Sequence, residues 1–201
     1  MNPWIANDTT LRGETVELRP LALEHFEELI ERSKDDRIWE FYILNGADTT
    51  RYRGTLEAAL EQRDKGNQFP FVIYHKQTQK LIGSTRFMDM NHEHRKLEIG
   101  WTWLHPEFWA TEVNFECKLL LLRYCFDVLH TVRVAFKTDE TNKRSQKAIT
   151  KIGGVYEGIL RHDLLRDNGT YRNSMIYSIL DTEWEKVQPM LTKLYSDKKG
   201  Q

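Results

Sequence analysis

Hydrophobic positions along the 201-residue chain change period several times, and each change marks an element. Residues 13–19, GETVELR, alternate with the two-residue period of a strand, and Pro20 stops it because proline has no N–H to give a ladder. Leu23, Phe26, Leu29 and Ile30 then recur at helical spacing across residues 22–32. A second helix is predicted from Thr49 or Thr50, either of which can cap it, to about residue 65, where Gly66 closes it. FPFVIYH (69–75) and KLIGSTRFMDM (80–90), separated by a polar turn, read as a hairpin, and RKLEIGWTWL (95–104) reads as another strand.

The most informative stretch is 112–130. Glu112, Glu116, Arg123, Asp127 and His130 fall within about 60° of one another on a wheel of about 3.6 residues per turn, and almost every other position is apolar. The pattern predicts one helix that shows water a narrow charged stripe and buries the rest against a sheet. VRVAFKT (132–138) follows at once. Strand, helix, strand in that order implies a right-handed βαβ crossover, with the helix N-terminus beside the end of the first strand. A further helix is predicted over 142–152, closed by Gly153. A hairpin of 155–165 and 171–180 turns through Asp167, Asn168 and Gly169, and a helix over 183–194 follows. Residues 1–12 read as a loose arm that Trp4 can anchor, 13–195 as one α/β domain, and 196–201 as a polar tail.

Composition changes this picture by exclusion. Lys and Arg number 29 against 30 Asp and Glu, a net charge of −1, which gives no bulk attraction to nucleic acid or to an anionic membrane. The apolar run 119–122 is far short of a membrane span, and the N-terminus lacks the charged start and apolar core of a signal peptide. Cys117 and Cys125 lie eight residues apart on one predicted helix. That is roughly 12 Å along its axis, too far to bridge. The expectation is a cytoplasmic, reduced protein.

Four places carry candidate chemistry. A helix opening at Thr111 points unpaired backbone N–H groups at the end of strand 95–104, which suits an anion without any particular side chain. The turn has no glycine, and Glu112 simply offsetting the helix dipole is the plain alternative. Asn114 and Lys118, spaced i and i+4, share a face away from the charged stripe. A lysine there either snorkels to water, the commoner fate, or pairs with an anion. Asn142 is well explained as a helix N-cap, and Ser145, one turn in, less well. Glu98 stands among Leu97, Ile99, Trp101 and Trp103. It is either a carboxyl raised toward neutrality by burial, fit to act as a base, or a solvent-facing residue of an alternating strand.

Taken in order, VELRPLALEHFEEL, LIGSTRF, LEIGWTWLHPEFWATEVNFECKLLLLRYCFD, RVAFKTDETNKRSQKAITKIGGVYEGILR and NGTYRNSMIYSIL resemble the GCN5-related N-acetyltransferases (GNAT) over roughly residues 13–185. The branch resembled includes the ribosomal-protein N-terminal acetyltransferases. The resemblance implies the GNAT fold: a mixed, mostly antiparallel sheet of about seven strands with a central βαβ crossover and flanking helices. It implies acetyl-CoA as co-substrate, an amine acceptor such as a protein N-terminus or a small-molecule amine, and no metal. The pantetheine arm would lie along Thr102, Trp103 and Leu104. The pyrophosphate loop, written [RQ]-x-x-G-x-[GA] in the family, falls on Trp109, Ala110, Thr111, Glu112, Val113 and Asn114, and departs at all three defining positions. TEVNFECK instead resembles a sub-branch with T-x-V-N-T-E-A-K in that place, which brings in Asn114 and Lys118. Asn142 and Ser145 match positions that contact the pantetheine and the acetyl sulfur. The family's frequent tyrosine seven residues after that asparagine is replaced by Ile149, which leaves Ser145, or a water it holds, to protonate the leaving thiolate. Glu98 would take the amine proton. Trp39 and Tyr42 would wall the acceptor entrance, unless they are core. The rival readings are an acyl-CoA-binding or partner-binding domain without catalysis, and a transferase of another acyl group such as succinyl, needing a cation from His105, Arg86 or Arg161. Dimerisation is common in the family, so the resemblance also allows a homodimer.

Overall fold

The computed structural model describes residues 4–200. Eight strands form one sheet: β1 (Leu11–Arg12), β2 (Val16–Pro20), β3 (Phe69–His75), β4 (Lys80–Asn91), β5 (Lys96–Leu104), β6 (Arg133–Asp139), β7 (Val155–Leu165) and β8 (Tyr171–Leu180). Their order is β1-β2-β3-β4-β5-β6-β8-β7, and only β5 and β6 run parallel. The helices are α1 (Phe26–Arg32), α2 (Thr49–Asp64), α3 (Val113–Arg123), α4 (Lys143–Lys151) and α5 (Asp181–Lys199). As the periodicity predicts, α3 is the crossover between the two parallel strands. No helix among the described residues is long and apolar enough to cross a membrane.

The sheet separates two cores because side chains alternate across it. Phe87, Leu97, Ile99 and Phe136 pack with Cys117, Leu121 and Leu122 of α3 and Leu191 of α5. On the other face Val72, Leu81 and Trp103 pack with Leu29 and Ile30 of α1 and Tyr52 and Leu56 of α2. Each fully buried Leu or Phe contributes about 1.5–3 kcal/mol by leaving water. Cys117 and Cys125 are unbridged and belong to the first core, where burial pushes the Cys117 thiol up to about 12.

Several expectations are corrected. The sheet has eight strands rather than about seven, because part of the supposed loose arm pairs as β1 with β2 and buries Ile5 and Leu11. The cap of α2 is Asp48, whose carboxylate accepts the Thr50 and Arg51 amides at 3.1 and 3.2 Å, not Thr49 or Thr50. The helix expected to run to 130 changes to a π-turn at Tyr124–Val128, and α5 runs through 196–199.

The charged stripe of α3 is also broken. Glu116 is only 3% exposed, and its carboxylate accepts backbone N–H groups from Glu14, Thr15 and Val16 at 2.6, 2.9 and 2.7 Å. A helical wheel assigns charge to water. It cannot register that a neighbouring strand brings donors enough to replace water.

Candidate active site

The defining feature is a split in the sheet. β5 and β6 pair only through Lys96↔Arg133, Leu97↔Val134 and Glu98↔Ala135. Beyond Glu98, β5 continues with β4 to Leu104 and β6 with β8 to Asp139, so the two parallel strands part and leave a cleft whose base is Glu98. Just above, Ser84 pairs with Trp103 and Arg86 with Gly100, which sets Thr85 alone against Trp101 and Thr102. This is a β-bulge, and Trp101 within it has a φ of 49°. A non-glycine residue in that region costs roughly 1–2 kcal/mol. Bulges re-aim side chains and free backbone groups from the ladder, and such strain gathers where a site needs it.

Glu98 is 6% exposed, so the buried one of its two sequence readings holds. Burial raises its pKa, and Lys137 on the facing lip, 3.1 Å away, opposes the rise without cancelling it. Gly100 leaves room for the carboxylate: a Cβ there would stand 3.1 Å from Glu98 Oε1 and 2.8 Å from Met88 Sδ.

On the opposite face Lys118 is 7% exposed and does not snorkel. Its Nζ donates to Thr102 Oγ1 at 3.0 Å, and that hydroxyl shares a 2.7 Å bond with Thr85 Oγ1. Burial pulls its pKa down to about 8. The ammonium therefore lies against the bulge rather than out over the loop at 109–114, because one helical turn inward from Asn114 points at the sheet.

That loop does contain a left-handed residue, at Ala110 (φ 60°), whereas Glu112, at the position of the family glycine, has φ −67°. Glu112 is the N-cap of α3 and makes no side-chain cap bond; Thr111 Oγ1 accepts the Val113 amide at 3.3 Å. Trp109 donates from Nε1 to the Leu104 carbonyl at 2.8 Å, and the Arg144 and Arg37 guanidiniums lie over its ring at 4.1 and 5.9 Å. Two cations therefore flank the loop, and Arg144 belongs to α4. At the start of α4 the Asn142 side chain accepts the Ser145 amide at 2.9 Å, the N-cap reading of Asn142, and Ser145 is half-buried.

Trp39 is core: it is 4% exposed and donates to the Ser33 carbonyl. Tyr42 is half-buried and donates to the Thr102 carbonyl at 2.7 Å, across the bulge. Its ring stands between those of Trp39 and Trp101, at centroid distances of 5.0 and 5.8 Å. The turn of the β7–β8 hairpin is fastened over this side by an Arg51–Asp167 ion pair and by the Asp167 amide, which donates to the Ile43 carbonyl at 2.9 Å.

Residues 15–155 match the family model described as an acetyltransferase (GNAT) domain. The chain belongs to the GNAT family. It is an acyl-CoA-dependent acetyltransferase. The chain is 28% identical over 172 residues to YdaF of Bacillus subtilis (strain 168), provisionally named a ribosomal N-acetyltransferase, covering 84% of this chain and 91% of that one. It is 33% identical to a provisionally named acetyltransferase from T. thermophilus, whose crystal structure superposes with a TM-score of 0.84 over 94% of this chain and 98% of that one. Mycobacterium smegmatis RimJ in complex with CoA-disulfide, 20% identical, shares the fold at a TM-score of 0.74 over 89% and 88% of the two chains.

Sequence reasoning missed two members of this GNAT cleft. Lys137 reads as a polar position of an alternating strand, and only the parting of β5 from β6 sets it against Glu98. The cleft-side position of Arg172 follows from β8 lying beside β6, which no local pattern announces.

Proposed function

We propose that this enzyme transfers an acetyl group from acetyl-CoA to a primary amine by direct attack. The observation that carries the reading is Glu98, buried at the base of the parted strands and held by Lys137, with the bulge at Trp101 and Thr102 directly above it. The pantetheine arm would run along Thr102, Trp103 and Leu104, and the diphosphate would meet the backbone amides of Thr111, Val113 and Asn114 at the start of α3, with Arg144 nearby. That a fold neighbour, RimJ, was crystallised with a CoA-disulfide supports the choice of cofactor.

In this reading the amine nitrogen bonds to the thioester carbonyl carbon, and backbone N–H groups freed at the bulge stabilise the oxyanion. Glu98 accepts the amine proton. The C–S bond breaks, and Ser145, or a water on it, protonates the departing thiolate. Lys118 acts through Thr102, fixing that hydroxyl beneath the thioester. The raised pKa of Glu98 puts its basic form at higher pH, so kcat should fall as pH drops through that pKa. Glu98→Gln should lose roughly 10²- to 10⁴-fold in kcat and should also lose this acidic limb. An unchanged pH–rate profile in the variant would remove Glu98 from the role.

A further inference from the structure

Arg86 is 5% exposed on β4, opposite Gly100, with its guanidinium over the Trp101 ring at 4.6 Å. A guanidinium carries five N–H donors and stays charged at neutral pH. Here its hydrogen bonds are to Gln68 Oε1 and the Thr55 carbonyl, both at 3.4 Å, the outer limit of such a contact. Other charged groups nearby are engaged with one another: Glu98 and Asp89 hold Lys137, and Asp139 holds Arg166. The titratable groups that act on Arg86 are phenolic, Tyr52 and Tyr42.

A second arginine repeats the situation on the other lip. Along β8, Arg172, Ser174 and Ile176 alternate onto one face, and the pairs Asp139↔Ser174 and Lys137↔Ile176 make it the face of Lys137. Arg172 is half-buried and forms no ion pair among the described residues, and its Nε has no hydrogen-bond partner there. The hydroxyl of Ser174, fully buried, and Oδ2 of Asp163 are likewise without partners among those residues. Asp139, already held by Arg166, and then Asp163 act on Arg172 only electrostatically, from beyond ion-pair distance. Both arginines lie within electrostatic reach of the Tyr42 hydroxyl, which is neutral and satisfies neither.

Burying a cation without a counter-charge costs several kcal/mol, and a folded chain normally avoids it by pairing. Two cations without an ion-pair partner, beside one general-base candidate, are best explained by a ligand that brings the missing contact. Arg86 and Glu98 are diagonal neighbours on β4 and β5, about 7–8 Å apart at the backbone. A molecule with its reacting centre at Glu98 therefore reaches them within a few bonds. We propose that Arg86 and Arg172 form an anion-recognition wall of the cleft, so that one of the two reactants carries a carboxylate. The planar fork of arginine suits that group in two-point contact. The proposal rests on the acetyltransfer reading above and names the chemical class that this site selects.

The carboxylate can belong to the acceptor amine or to the acyl chain, and the experiment separates them. The full chain would be assayed with alanine against alaninamide and with glutamyl-alaninamide against glutaminyl-alaninamide as acceptors, and with succinyl-CoA against acetyl-CoA as donors. Wild type should favour the carboxylated member of an acceptor pair, or succinyl-CoA, by roughly 10- to 100-fold in kcat/KM. Arg172→Met, on the more exposed residue, and Arg86→Met should each bring that ratio toward one while rates with neutral partners stay close to wild type, and Arg172→Lys should recover part of the preference. Equal rates within every pair would overturn the proposal, as would variants that lower all substrates alike along with thermal stability. A thermal shift with acetyl-CoA keeps the two readings apart. Binding without charge preference sinks only the anion wall, whereas no binding sinks the acetyltransfer reading as well.

Discussion

Lys118 shows how far a single residue departs from its sequence expectation and what that implies. On the helix pattern alone a lysine there snorkels; in the fold its ammonium stops at Thr102, cut off from water. With its pKa lowered from 10.5 to about 8, the buried charge costs roughly 3 kcal/mol at pH 7, at about 1.36 kcal/mol per unit. Between those two values the unfolded chain holds a proton that the folded chain has released, so stability rises with pH across that window. Lys118→Met should therefore stabilise the protein at pH 7 by about 2 kcal/mol, once the lost bond to Thr102 is counted. The advantage should vanish by pH 10.5, as read by denaturant unfolding over a pH series. Its acetyl transfer should fall, because the Thr102 hydroxyl loses its fixed donor.

At the level of elements, α3 is the hub, since one end meets the loop at 109–114 and its body is tied to the N-terminal segment. Glu116 is that tie. Its carboxylate gathers three consecutive amides, from Glu14 to Val16, and Gly13 lets it approach: a Cβ there would stand 2.5 Å from Glu116 Cδ. Glu116→Gln puts an NH₂ group against N–H donors and should cost about 2–3 kcal/mol in urea unfolding. Because the anchored segment joins β1 to β2, the loss should appear as faster amide exchange in residues 11–20 rather than in the β7–β8 hairpin. The start and direction of this helix are legible in sequence, from the apolar run and the strand after it. The burial of Glu116 is not, because its partners lie about a hundred residues away.

For the whole molecule, a ligand that binds only the folded state stabilises it by about 2.7 kcal/mol at a hundred times its Kd. At about 2–4 °C per kcal/mol for a chain of this size, acetyl-CoA and free CoA should both raise the Tm measurably. No shift with either ligand would return the protein to the reading of a fold kept without its cofactor. The sequence by itself determined the order of elements, the parallel βαβ crossover at its centre, the family, and Glu98, Asn142, Ser145 and the loop at 109–114 as places to look. The order of elements and the crossover follow from periodicity, caps and turn chemistry, which act over a few residues, whereas the family and Ser145 follow from the resemblance of the ordered segments. Tertiary structure alone decided that β5 and β6 part above Glu98, that Lys137 faces it, that Lys118 turns inward, and that Arg86 and Arg172 both come within electrostatic reach of Tyr42. The reason is physical. Charge and burial are properties of neighbours in space, and here those neighbours come from strands far apart in the chain.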